Sequence, residues 1–260
     1  MSSVETAIIP EYKAEFRFYG ELNDFLRPAQ RQRTIPYRFS GHPGIKDPIE
    51  VFGVPHTEVE IIIVNGQPAG FGYRLQANDR VAVYPVFKSL DVSPLPELRN
   101  KTSPNPRFVL DVNLGKLAKF LRVLGFDSLY RNDYQDQEVA DIAAEQQRIV
   151  LTRDRRLLYF KKIEHGYWVR AVKVAIQLEE VLRRFDLPGS IRAFSRCPVC
   201  NGVLAPVSKA DILHRLEPKT RLYYQEFHCC LNCQRIYWHG SHMEDMRQRY
   251  AYRLAARNWP

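Results

Sequence analysis

Apolar residues alternate with polar ones through roughly the first ninety positions and recur at helical spacing after that. "AEFRFYG" (14–20) and "TIPYRF" (34–39) alternate, "EVEIIIVNG" (58–66) ends on an Asn-Gly turn, and "NDRVAVYPVF" (78–87) follows, so four strands are predicted. "HPGIKDPIEVFG" (42–53) supplies one helix from about Ile45, with Pro48 arguing against it. Two strands, a helix and further strands make an α+β domain.

"SLDVSPLPELRNKTSPNPR" (89–107) carries four prolines and no periodicity, and reads as a linker. Beyond it strands and helices alternate. "RFVLD" (107–111) is an apolar run, and Leu114, Leu117, Ala118, Leu121 and Leu124 then mark a helix closed by Gly125. "FDSLY" (126–130), "RIVLT" (148–152) and "YWVRAV" (167–172) are further strands, and "DQEVADIAAEQQ" (136–147) and "AIQLEEVLRRF" (175–185) further helices. This rhythm predicts a parallel sheet covered by helices. A second seam at "FDLPGSIRAFSRC" (185–197) turns on Pro188-Gly189. The expected organisation is 1–90, an α+β domain; 91–106, a linker; 107–190, a parallel-sheet α/β domain; and 191–260, a cysteine-bearing module with a basic C-terminal helix.

Charge changes this picture because it is uneven. The net charge is +9, yet residues 1–100 carry 11 Lys/Arg against 12 Asp/Glu, while 101–190 carry 16 against 12 and 191–260 carry 11 against 5. A basic excess confined to the later segments points to a polyanion such as nucleic acid, against the plainer reading of a soluble basic surface. No apolar run approaches the roughly 20 residues that span a bilayer. "MSSVETAIIPEYKAEF" does not read as a signal peptide, and the expected location is cytoplasmic.

Candidate chemistry gathers at strand ends, where open parallel sheets bind ligands. Asp111 ends the first strand of the second domain, Asp154 follows the third, and Asp133 and Asp136 lie after the second. Carboxylates brought together repel, and a hard cation, Mg²⁺ or Mn²⁺, relieves them. The competing reading is helix capping, open to Asp133, Asp136 and Asp154 alike. Lys116, Lys119 and Arg122 ride the helix beside Asp111, and Arg153, Arg155 and Arg156 surround Asp154. Lys116, Arg153, Arg155 and Arg156 are the candidates for holding phosphates, whereas Lys119 and Arg122 suit a solvated or neutralising role. No Ser/His/Asp or Cys/His set stands out, and His165 reads as a loop residue.

All five cysteines lie between 197 and 233. Cys197-x2-Cys200 and Cys230-x2-Cys233 have the spacing of a tetrahedral Zn²⁺ site in a ribbon, a closed and hence structural site. Cys229 fits a knuckle less well, and His228 and His239 are left out of the set. In the tail, Arg249, Arg253 and Arg257 recur every four residues with Tyr250, Tyr252 and Trp259 among them, which suits single-stranded nucleic acid or packing on the ribbon.

Two stretches carry a family resemblance. "IIIVNGQPAGFGYRLQANDRVAVYPVF" resembles the second half of ubiquitin-like β-grasp domains related to sulfur carriers. Those end in a reactive Gly-Gly, whereas this chain runs on through Lys88-Ser89, so the implied role is binding, with a protein partner as one candidate. "FVLDVNLGKLAKFLRVLGFDSLYRNDYQDQEVADIAAEQQRIVLTRDRRLL", then "RCPVCNGVL" and "CLNCQRIYWHGSHMEDM", resembles the Mut-seven C-terminal RNase family, a PIN-like nuclease followed by a zinc ribbon. The resemblance implies an N-terminal β-grasp domain, a central PIN-like α/β domain and a C-terminal zinc ribbon. It places catalytic metal on Asp111, Asp136 and Asp154, with Asp133 a fourth acid, and implies metal-assisted hydrolysis of RNA. Where relatives have "VRS", this chain has "VRA" at Val169–Ala171. A non-catalytic RNA-binding or adaptor protein is the rival expectation.

Overall fold

The computed structural model describes residues 11–86, Leu98 and residues 105–238. Most of the predicted linker and the basic tail with Arg249, Arg253 and Arg257 lie outside the described residues, as does His239. The elements in chain order begin with β1 (Glu11–Phe18), β2 (Thr34–Ser40), α1 (Lys46–Val51), β3 (Ile61–Val64), β4 (Gln67–Ala69) and β5 (Arg80–Tyr84). Next come β6 (Phe108–Leu110), α2 (Gly115–Val123), β7 (Ser128–Leu129), α3 (Asp136–Gln146), β8 (Ile149–Thr152), β9 (Gly166–Trp168) and α4 (Val174–Arg184). The last are β10 (Leu204–Val207), α5 (Lys209–Ile212), α6 (Pro218–Tyr223), β11 (Phe227–Cys230) and β12 (Ile236–Trp238). No helix among the described residues is long and apolar enough to cross a membrane.

Contacts divide these residues into two compact units, 11–86 with Leu98 and 154–168, and 105–153 with 169–238. In the first, the sheet order is β2-β1-β5-β3-β4, with β1 and β5 parallel at the centre and the other pairings antiparallel. The period of two in β1 turns Ala14, Phe16 and Phe18 inward, where they join Ile45 and Ile49 in one core. Pro48 is the third residue of α1, a position where the missing N–H costs nothing, so the helix forms despite it. Asn65 and Gly66 take φ of 51° and 83°, the paired positive values that a tight β-hairpin turn requires. The turn is tied to the next strand by Asp79, which is 2% exposed and accepts from Asn65 Nδ2 (2.8 Å), Tyr73 Oη (3.0 Å) and Gln76 N (2.8 Å). Strand β4, which shows no alternation in sequence, forms because that turn delivers it onto β3.

The second unit holds a parallel arrangement in which β6 pairs with both β7 and β8. Its strands are buried on both faces, as helix-covered parallel strands are, and Leu117, Leu121, Val139, Ala143, Val181 and Leu182 are buried on the helices. Gly125 ends α2 at φ 95°, the left-handed position after a helix C-terminus. The C-terminal strands form an antiparallel sheet, β10-β11-β12. The whole is a mixed α/β chain with an N-terminal sheet domain, a central parallel sheet and a C-terminal cysteine module.

Candidate active site and metal centre

Strands β6 and β8 run in register, Leu110 opposite Leu151, and Asp111 N–H donates to Leu151 O at 3.0 Å. Asp111 is therefore carried to the carboxyl edge of the sheet beside Thr152. Its side chain is only 4% exposed and makes no helix-capping bond. Thr152 Oγ1 donates to Asp111 Oδ2 at 3.0 Å, and Asn113 Nδ2 reaches the same oxygen at 3.4 Å. Both donors are neutral, so neither balances the charge of a buried carboxylate, the situation in which a cation is favoured.

The other acids are placed differently. Asp136 is exposed on the first turn of α3, and the cap there is Gln135, in a reciprocal box where Gln135 N–H donates to Glu138 Oε2 at 2.9 Å. Asp136 is thus not needed as the cap. Asp133 is exposed and gripped by Arg131 through Nε at 2.9 Å and Nη2 at 2.6 Å, which lowers its pKa. Asp154 accepts from Arg156 N–H at 2.8 Å and caps the short 3₁₀ turn of residues 155–159. Among the described residues, the acids form no group of three whose ligand atoms all lie within 4.8 Å of one another.

Among the cations, Lys116, Lys119, Arg153 and Arg156 are exposed. Arg122 is buried: Nε donates to Ser128 O at 2.8 Å and Nη1 to Val199 O at 2.9 Å and Pro198 O at 3.3 Å. Burial lowers its pKa, against the opposing pull of the cysteines and Asp127. The Arg155 guanidinium lies 3.8 Å from the Trp168 ring centroid and 5.2 Å from that of Phe25, a cation–π stack inside the first unit.

The four cysteines do form a close group. The ligand atoms of Cys197, Cys200, Cys230 and Cys233 all lie within 4.8 Å of one another, with Sγ–Sγ distances of 3.7 Å between Cys197 and Cys233 and 3.4 Å between Cys200 and Cys230. A tetrahedron with Zn–S bonds of about 2.3 Å has edges of roughly 3.8 Å, so the thiols suit such an ion. The two knuckles share one backbone plan. Asn201 and Gln234, each following the second cysteine of its pair, take φ of 65° and 59°, and each donates its N–H to the carbonyl of the first cysteine. Cys229 lies outside the group, as the spacing predicts.

Burial raises Cys197, but the Tyr237 hydroxyl and the backbone amides of Cys200 and Val199 outweigh it and bring the thiol down to about 7. Burial and neighbouring thiols push Cys200 up to about 12. Such crowded thiols are relieved by a metal, which is compatible with a zinc ribbon. The first knuckle is also fastened to the sheet. Asp127 accepts from Arg148 Nη1 (2.7 Å) and Asn201 Nδ2 (2.7 Å) and pairs with Arg196 (3.2 Å), while Ser128 N–H donates to Asn201 Oδ1 (3.0 Å). Sequence reading assigned no role to Thr152, Asp127 or Asn201. The first was visible within "VLTRD", but nothing in the local pattern signals a partner more than seventy residues away.

A model of the family described as "Mut7-C RNAse domain" matches residues 106–250, and one described as "Mut7-C ubiquitin" matches residues 11–91. Neither the curated proteins nor the solved structures contain a match to the chain.

Proposed function

Because the chain belongs to the Mut7-C RNAse domain family, with that family's ubiquitin-like domain before it, we propose that it is a metal-dependent ribonuclease whose acids hold Mg²⁺ or Mn²⁺. The observation that carries this reading is the buried Asp111 carboxylate at the sheet edge, held by neutral donors. Asp111, Asp136 and Asp154 are the proposed ligands, with Asp133 behind them. The bound ion would lower the pKa of a water and stabilise the leaving 3′ oxygen during hydrolysis of a phosphodiester. Thr152 orients Asp111, and the exposed Lys116, Arg153 and Arg156 offer charge to phosphates. Arg155, being stacked on Trp168, acts less directly than a free cation would. The cysteine module holds Zn²⁺ structurally and helps bind RNA.

The test is cleavage of labelled single-stranded RNA with Mg²⁺ or Mn²⁺ and with chelator. Asp111→Asn and Asp154→Asn are expected to lose on the order of 100-fold or more, and Thr152→Val about 10–100-fold as the residue behind a ligand. Parental rates in both Asp variants would place the chemistry elsewhere. The engagement of Asp133 by Arg131 and of Asp154 by its own turn favours the alternative, a non-catalytic RNA-binding or adaptor protein. That alternative predicts chelator-insensitive binding without cleavage.

A further inference from the structure

Residues 154–168 lie within the stretch matched by the nuclease family, yet they are built into the first unit. They begin at Asp154 and end at Trp168, and both ends and the middle are anchored on the ubiquitin-like fold. Trp168 N–H donates to Glu58 Oε1 at 2.6 Å, and Glu58 is fully buried. Tyr159 Oη donates to Gly53 O at 2.6 Å. His56 Nε2 donates to Ile163 O at 3.0 Å, since a carbonyl only accepts, and Nδ1 of the same ring lies 2.6 Å from Glu50 Oε1.

Packing repeats what the polar contacts do. Leu157, Leu158 and Ile163 are 0% exposed, and the Trp168 ring sits 5.2 Å from that of Phe25 against the core of the first unit. A Cβ at Gly166 would come within 2.6 Å of Leu158 Cδ2 and 3.4 Å of Thr57 Cβ, so a larger residue there would have to displace the Leu158 side chain packed beside the residues before β3. Arg155, next to Asp154, is held by Trp168 and Phe25.

We infer that the ubiquitin-like domain works on its own chain: it clamps residues 154–168 and thereby fixes the turn that Asp154 caps. This rests on the proposed catalytic reading for its consequence, though not for the clamp itself. A domain with this fold otherwise suggests a tag for a separate partner. Here its residues Phe25, Gly53, His56 and Glu58 are spent on an internal segment. Tyr159, Trp168, His56 and Glu58 are positioning residues, acting on the site through the turn that Asp154 caps. An acid displaced by about 1 Å can cost on the order of 100-fold in rate, so a clamp on the following turn serves the chemistry.

The experiment uses the full-length protein, with Trp168→Ala, the conservative Trp168→Phe, and Tyr159→Phe, which removes one oxygen atom. Amide hydrogen exchange is followed in residues 155–165, with β1 and β6 as internal controls of folding. Trp168→Ala is expected to speed exchange in 155–165 by about tenfold or more while β1 and β6 stay protected. In RNA cleavage, kcat should fall about tenfold with little change in KM, and Trp168→Phe should restore both. If Trp168→Ala does not fold, Tyr159→Phe carries the test with a smaller change of the same kind. Unchanged exchange in 155–165 overturns the clamp, and faster exchange with unchanged kcat overturns its catalytic purpose. Parental cleavage by Asp154→Asn would instead remove the catalytic reading of that acid, while the exchange data still judge the clamp.

Discussion

At the scale of single residues, Asp127 matters more to the cysteine module than its sequence position suggests. Burial raises its pKa, but the hydrogen bonds from Arg148 and Asn201 and the charges of Arg148 and Arg196 outweigh that and leave it below the usual carboxylate range. A carboxyl depressed in the folded state adds stability that is present above its unfolded value, about 3.9, and is lost as pH falls through the folded value. Thermal unfolding followed from pH 5 down to about 2 should therefore show a falling Tm, and Asp127→Asn should flatten that slope. At neutral pH the same variant leaves Arg148 buried without its carboxylate and is expected to cost about 2–3 kcal/mol. A pH profile identical to the parent's would mean that the network does not stabilise the fold.

At the scale of elements, α2 shows why a helix ending can serve a distant segment. Its moment was readable from Leu117, Ala118 and Leu121, and its end from Gly125. What the periodicity did not contain is the reason the glycine cannot be replaced: a Cβ there would lie 2.1 Å from Arg192 O, where the chain returns before the first cysteine. Arg192 and Phe194 donate their N–H groups to Leu124 O and Val123 O, so the helix C-terminus is capped by that returning chain. Gly125→Ala combines a strained φ with a backbone clash and is expected to cost about 3 kcal/mol or more, read as a lowered denaturation midpoint. A loss under 1 kcal/mol would show that the returning chain yields easily.

For the molecule as a whole, the cysteine group and the parallel sheet share one set of fastenings in Arg122, Asp127 and Asn201. Metal analysis is expected to give one zinc per chain, and Cys197→Ser to abolish it. Because Arg122 bonds the carbonyls of Pro198 and Val199 between the two cysteines of a knuckle, stripping the metal with a chelator should also lower the Tm of the sheet, not of the ribbon alone. A chelated protein melting at the parental temperature would uncouple the two.

Much of this architecture was legible from one dimension. Alternation and helical spacing located the strands and helices up to α4 except β4, because burial of one face is a local demand that leaves a local period, whereas β10, β11, β12, α5 and α6 of the small cysteine module were not located. Two Cys-x2-Cys pairs identified the thiol group, since a knuckle is closed within five residues. What depended on tertiary structure was which side chains meet across long stretches of chain. Periodicity treats Arg122 as a surface cation, whereas the fold buries it beneath a knuckle. It says nothing of the hydrogen bonds by which residues 154–168 reach Gly53, His56 and Glu58, about a hundred residues earlier. Such partners satisfy buried polar groups that could have been satisfied in other ways, and only the folded chain selects among them.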